Sequence, residues 1–324
     1  MRRFLALAAL LPLAAAACGS DDDTGAGAAA EDRLQVVASF YPVAEAAERV
    51  GGDLVEVENL TPAGTEPHDL ELTPPQVDGL QDADVVLYLG QGFQPAVEEV
   101  AERRDGASVD VLEAVELEVG AAEFDEEEGE NAEEEGEHAE VEGEHADEGA
   151  LDPHYWLDPT LMADAVDRIE EALAEAAPEH ADAFAANAER YKSELAELDQ
   201  EFEEALAQCE VRVMVTSHAA FHYLAERYDL EQLPIAGLSP ESEPDPRRLA
   251  ELADLIGEEG VTTVFYETLV APDVAETLAR EAGVDTAVLN PLEGLTQDDI
   301  EAGKDYAAVM RDNLAALTGA LGCR

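Results

Sequence analysis

Three histidines lie in three separate contexts: Gly64-Thr65-Glu66-Pro67-His68, Asp152-Pro153-His154-Tyr155-Trp156-Leu157-Asp158-Pro159 and Thr216-Ser217-His218-Ala219-Ala220-Phe221. Imidazole nitrogen is a common protein ligand for Zn²⁺, and ligands drawn from distant segments form a site only once the chain has folded around it. A four-coordinate site wants one more group. Glu293, in Asn290-Pro291-Leu292-Glu293-Gly294, is the choice, and Glu267, just after the apolar run Thr262–Tyr266, is the alternative. His218 and His222 stand four residues apart, the spacing at which two histidines on one helical face chelate a metal. The plainer reading of His222 is a histidine at the rim of a cleft. A single histidine is more often structural than ligating, and His180, at a polar helix start, is read so. Trp156, the only tryptophan, and Tyr41 are expected to pack near the site. Asp158 either orients a ligand histidine through its free N–H or caps the helix after Pro159.

These side chains need elements to position them, and the pattern alternates strand and helix twice over. In the first half Leu34–Ser39, Leu54–Leu60, Asp84–Gly90 and Val109–Leu112 read as strands, with helices at Pro42–Val50, Pro74–Asp82 and Pro95–Arg104. In the second half Val211–Thr216, Gln232–Ala236, Thr262–Tyr266 and Thr286–Leu289 are strands. Helices follow near Ala219–Tyr228, Pro246–Gly257, Pro272–Ala282 and Gly303–Leu321. Such alternation implies two parallel-sheet α/β domains. Between them Phe184, Ala188, Tyr191, Leu195, Leu198, Phe202 and Leu206 recur at helical spacing within Pro178–Gln208, which reads as one amphipathic helix. At about 1.5 Å per residue it would run about 45 Å, a stiff spine between two lobes. His68 falls after the second strand, His154 before a helix over Thr160–Ala176, and His218 directly beyond the strand ending at Thr216. In open α/β sheets ligands gather outside the carboxyl ends of strands, so the histidines are expected to meet in the cleft between lobes.

The chain begins with Met1-Arg2-Arg3, an apolar stretch Phe4–Leu13 too short to span a bilayer, and small residues Ala14–Ala17, then Cys18. This pattern predicts a signal peptide over 1–17 and a lipid-anchored tether over 18–33, although Ala15 stands where a lipobox usually has a large aliphatic residue. Cys209 and Cys323 remain, an even pair in an extracytoplasmic chain, which invites a disulfide. The 324 residues carry 77 acidic and 17 basic side chains, and the only lysines are Lys192 and Lys304. That surface disfavours nucleic acid and favours cations. The stretch 123–148 holds 15 of the acids and cannot fold on its own. Its repeat, Glu135-Gly136-Glu137-His138-Ala139-Glu140 then Glu142-Gly143-Glu144-His145-Ala146-Asp147, reads either as an accessory metal trap through His138 and His145 or as a solvated charge run.

The segments GTEPHDLELTP, DPHYWLDP, TSHAAFHYLAERYDL, GLSPESEPDPRRLAEL and NPLEGLTQDDIEAGKDYAAVMRDNL resemble the zinc-binding solute receptors of bacterial ABC importers, the ZnuA/AdcA-like family. The resemblance covers about residues 34–324. It implies two (β/α)₄ parallel-sheet lobes joined by one long rigid helix: a first lobe over 34–158, a helical connection over 159–209 containing a linker helix 178–208, and a second lobe over 210–324. It also implies no catalysis, Zn²⁺ as the transported ligand, and delivery to a membrane ABC permease by a monomeric, extracytoplasmic receptor anchored through Cys18. The family's ligands fall on His68, His154 and His218, and in the branch with Glu in the Pro-Leu-Glu motif on Glu293. His222 departs from the small residue the family pattern leads one to expect. Other readings are a manganese receptor of the same family, an adhesin that keeps the receptor fold, and a zinc hydrolase. The sequence has no His-Glu-x-x-His helix to favour the last.

Overall fold

The computed structural model describes residues 33–118, 151–242 and 246–324. The proposed signal peptide, Cys18, the tether to residue 32, and the acidic stretch with His138 and His145 lie outside them.

The first lobe runs β1 (Leu34–Ala38), α1 (Tyr41–Gly51), β2 (Val55–Asn59), α2 (Pro74–Asp82), β3 (Val85–Tyr88), α3 (Pro95–Arg103) and β4 (Ala107–Asp110). Helices α4 (Pro159–Ala176) and α5 (Ala181–Leu206) follow. The second lobe contains β5 (Val213–Thr216), α6 (His222–Arg227), β6 (Glu231–Pro234), α7 (Pro246–Glu259), β7 (Thr263–Tyr266), α8 (Asp273–Ala282), β8 (Asp285–Val288), α9 (Gln297–Glu301) and α10 (Tyr306–Leu321). All strand pairs are parallel, in the orders β2-β1-β3-β4 and β6-β5-β7-β8, so the two lobes repeat one topology. Val36, Val37 and Ala38 of β1 and all four residues of β5 are buried, the continuous apolar pattern of strands covered on both faces. No helix of the described residues is long and apolar enough to cross a membrane.

One apolar core passes through both lobes. It joins Val36, Leu87 and Trp156 to Met214, Phe221, Phe265 and Leu289 through the buried faces of α4, α5 and α10, while two smaller clusters fill the outer faces under α2/α3 and α7/α8. The buried residues of α5 are the seven whose spacing marks the helix in the sequence. The spine is therefore half embedded in the shared core. Its bidentate Asp199–Arg227 pair, at 2.7 and 3.0 Å, holds α6 against it, and Phe202 stacks on Tyr228.

Several boundaries differ from the sequence pattern for local reasons. The fourth strand ends at Asp110, whose carboxylate accepts from the Leu112 N–H at 3.0 Å and starts a 3₁₀ turn over Val111–Ala114. The linker begins as a 3₁₀ turn at Pro178–His180 before α5. The last helix starts at Tyr306, where Asp305 accepts from the Ala308 N–H, and the short α9 is closed by a Thr296/Asp299 capping box. Gly322, with φ 65°, ends α10 in a left-handed turn and carries the chain into Cys323, which is disulfide-bonded to Cys209 just beyond α5.

Closing a loop of 114 residues stabilises chiefly by restricting the unfolded chain, by up to about 4–5 kcal/mol in the chain-entropy model. The Cys209→Ala/Cys323→Ala variant is expected to unfold at lower urea while keeping its native helical signal in buffer. An unchanged urea midpoint would show that the bridge does not stabilise the fold.

Candidate metal centre

Each histidine is held by a different local device. His68 sits in the loop between β2 and α2, where the buried Gln94 amide donates to the Pro67 carbonyl at 3.2 Å and to Thr61 Oγ1 at 3.0 Å. The His68 ring meets Phe93 edge-on at 4.5 Å. His154 follows the Asp152-Pro153 pair. One oxygen of Asp152 faces its Nδ1 at 2.6 Å and accepts from its backbone N–H at 2.9 Å. His218 occupies the bend after β5, where its carbonyl accepts from Thr216 Oγ1 and Gln232 Nε2, and its Nδ1 faces Glu267 at 2.6 Å.

With Nδ1 of His154 and His218 committed to carboxylates, the Nε2 atoms turn inward. Glu293 Oε1 lies 3.4, 3.3 and 3.2 Å from Nε2 of His68, His154 and His218, and the ligand atoms of all four lie within 4.8 Å of one another. His154, His218 and Glu293 are buried, and the His68 side chain is 11% exposed. The contact between His154 Nε2 and Glu293 lacks hydrogen-bond geometry, leaving that nitrogen as a buried polar atom with no hydrogen-bond partner among the described residues. A carboxylate hydrogen-bonded to Nδ1 fixes the tautomer with the lone pair on Nε2 and raises its basicity, the usual support of a metal-ligating histidine.

The loop carrying Glu293 is itself clamped. Asn313 on α10 accepts from the Asn290 N–H at 2.8 Å and donates to the Asn290 carbonyl at 2.7 Å, while Asn290 Oδ1 accepts from the Leu292 N–H. Leu292 is held at φ 60°, a left-handed conformation costly for a branched side chain. The Trp156 indole N–H donates across to the Pro291 carbonyl at 2.7 Å.

Burial alone would raise the Glu293 carboxyl, but the three imidazoles outweigh it and hold it well below the carboxylate range. Burial would lower His218, yet Glu267 and Glu293 hold it well above its ordinary value; His154 is raised likewise, chiefly by Asp152 against burial. His68 is lowered, since burial prevails there. Glu66, 4.0 Å from His68 Nε2, is pushed up to about 7 by burial and by Glu293.

Glu267, the alternative carboxylate of the sequence reading, supports His218 from behind and does not join the four. His218 and His222 share no helical face, because α6 begins only at His222 and the bend before it is held by the Ala219 N–H to Gly237 carbonyl bond. Asp158 caps α4 through the Thr160 N–H, and Tyr41 hydrogen-bonds Glu45 on its own helix. The carboxylate that orients His154 is Asp152, signalled only by its place two residues before a candidate ligand. Gln94 and Asn313 carried no signal.

The sequence profile of ZnuA, described as "Zinc-uptake complex component A periplasmic", matches residues 36–320. The chain belongs to this family. Within it, the chain is 38% identical over 316 residues to the zinc-binding lipoprotein AdcA of Streptococcus pneumoniae (strain ATCC BAA-255 / R6), covering 97% of this chain and 60% of that protein. It is 36% identical over 312 residues to the high-affinity zinc uptake system protein ZnuA of Bacillus subtilis (strain 168), covering 95% and 94%. The chain thus spans about three fifths of the length of the AdcA relative and nearly all of ZnuA. Among solved structures, the Zn(II)-bound ZnuA-like domain of S. pneumoniae AdcA superimposes with a TM-score of 0.71 at 34% identity, covering 89% of this chain and 99% of that one. The laminin-binding protein Lmb of Streptococcus agalactiae, described as having adhesin and metal-transporting activity, gives a TM-score of 0.73 at 28% identity, covering 89% and 99%. Family membership agrees with the paired four-stranded sheets and the long helix between them.

The raised His218 contributes stability that is complete below the unfolded histidine pKa of about 6.5 and is lost as pH rises through its raised folded value. The depressed Glu293 contributes stability present above about 4.3 and lost as pH falls through its depressed value. The cation-free cluster is therefore strongest between about pH 4.3 and 6.5, and a divalent cation must displace its protons. The rise in melting temperature caused by saturating Zn²⁺ is expected to be larger at about pH 8 than at about pH 5.5. A shift that does not grow with pH, read by differential scanning calorimetry, would exclude proton competition at these imidazoles.

Proposed function

We propose that this protein is an extracytoplasmic zinc receptor that captures Zn²⁺ at His68, His154, His218 and Glu293 and hands it to an ABC permease. The observation that carries this reading is the convergence of three Nε2 atoms on one buried carboxylate oxygen, with that of His154 lacking a hydrogen-bond partner among the described residues. Three imidazoles and a carboxylate make a small, borderline-soft, four-coordinate set that suits Zn²⁺, whereas Mn²⁺ favours oxygen-richer, higher-coordinate sites and sits at the weak end of the divalent series. Four protein ligands fill a tetrahedron and leave no open position for an activated water, which supports a carrier of the ion over a hydrolase. Membrane attachment through a lipid on Cys18 fits the AdcA relative's description as a lipoprotein. The ligands come from both lobes, so release to a permease requires the lobes or the His68 loop to move. His68, the least buried of the four, is the first ligand to let go.

Chelator-stripped protein is expected to bind one Zn²⁺ tightly, with equimolar Mn²⁺ failing to compete in a calorimetric titration; effective competition would support the manganese receptor instead. His68→Ala, His154→Ala or His218→Ala should each weaken zinc far more than Glu293→Ala. Glu267→Ala and Asp152→Ala should cost about 10–100-fold, as supporting carboxylates do. A loss for Glu267→Ala exceeding that for Glu293→Ala would mean that the wrong carboxylate has been placed on the metal.

A further inference from the structure

A second group of metal-ligating side chains stands apart from Glu293. His222 Nε2 lies 3.3 Å from Glu118 Oε2 and 4.0 Å from Glu226 Oε2, and the three ligand atoms fall within 4.8 Å of one another. Two of the ligands share a helical turn, since His222 and Glu226 are four residues apart on α6 and so lie on one face. The third is brought to them by the backbone. The Tyr223 hydroxyl accepts from the Glu118 N–H at 3.0 Å and donates to the Asp152 carbonyl at 2.9 Å, while the Asp152 N–H donates to the Glu118 carbonyl at 2.9 Å. Glu118 is thus pinned beside α6 by bonds of its backbone, which set its carboxylate against His222 Nε2.

We propose that Glu118, His222 and Glu226 form a second, weaker site for a divalent transition metal, taking Zn²⁺ through two carboxylate oxygens and one imidazole nitrogen, with water completing its shell. The imidazole selects against Ca²⁺ and Mg²⁺, which prefer all-oxygen shells. The side chains are 24–58% exposed, and the set has one nitrogen where the Glu293 centre has three, so binding is weaker there. The ligands span both lobes, Glu118 following β4 and the other two lying on α6, so an ion bound here ties α6 to the first lobe.

Full-length protein stripped of metal and titrated with ZnCl₂ by calorimetry is expected to show a tight phase and a distinct weaker one. His222→Ala and Glu118→Gln/Glu226→Gln should each remove the weaker phase while leaving the tight phase unchanged within about twofold, as for sites that share no ligand. The tight phase also reports that each variant has folded. Because the two phases are read separately, failure of the Glu293 centre and failure of this site are distinguishable. Deleting residues 123–148 should spare the weaker phase, and excess CaCl₂ should not abolish it. The proposal is overturned if wild type shows no second phase, if that phase survives His222→Ala, if it disappears with residues 123–148, or if Ca²⁺ abolishes it.

Discussion

The structure depends on one buried carboxylate. Glu293 is 1% exposed, and an isolated ionised group at such a position would cost several kcal/mol of desolvation. Three imidazole nitrogens offset that cost, and each needs its own partner to face inward: Asp152 behind His154, Glu267 behind His218, and the Gln94-clamped loop behind His68. Four ligands therefore recruit positioning groups from the loop before His154, from the ends of β5 and β7, from Gln94 just before α3 and from α10. Removing any one leaves a buried charge or a buried polar atom unmatched, which makes the cluster cooperative before any ion arrives.

The same requirement accounts for the strain beside it. Leu292 adopts a left-handed backbone, a conformation costing roughly 1–2 kcal/mol for a residue with a Cβ. Asn290, Asn313 and the Trp156 indole hold it there, and the turn aims Glu293 into the cluster. Trp156 also accepts from the Tyr306 hydroxyl through its own carbonyl, at 2.6 Å. One tryptophan therefore links the His154 loop, the Glu293 loop and α10, and the lobes meet through a continuous core and directed hydrogen bonds.

The acidic surface is handled by sparing use of cations. Lys192 lies between Asp167 and Glu189, Lys304 between Asp299 and Asp312, and Arg227 between Asp199 and Glu203. Singly such exposed pairs contribute little, but each places one positive charge against two negatives on a chain with 77 acids and 17 bases. The remaining field attracts cations toward the protein without selecting among them. Selection is left to nitrogen ligands.

Periodicity alone determined the strand and helix alternation, the doubling of the lobe and all seven buried residues of α5, because burial of an amphipathic face writes itself into local spacing. Histidine contexts at strand ends, with the family's motifs, pointed to His68, His154, His218 and Glu293. Element ends were less legible where side-chain caps decide them, as at Asp110 and Asp305. Only the tertiary structure decided which carboxylate faces the histidine cluster and which stands behind it. Glu267 and Glu293 both follow strands of the second sheet, and their roles separate by which nitrogen of His218 each reaches. Gln94 and Asn313 were illegible for the same reason: orienting hydrogen bonds between residues 23 to 33 positions apart leave no spacing rule in the chain, whereas Asp152 was signalled only by standing two residues before His154. The pairing of Glu118 with His222, 104 residues away, exists only because Tyr223 bridges two lobes that the sequence describes separately.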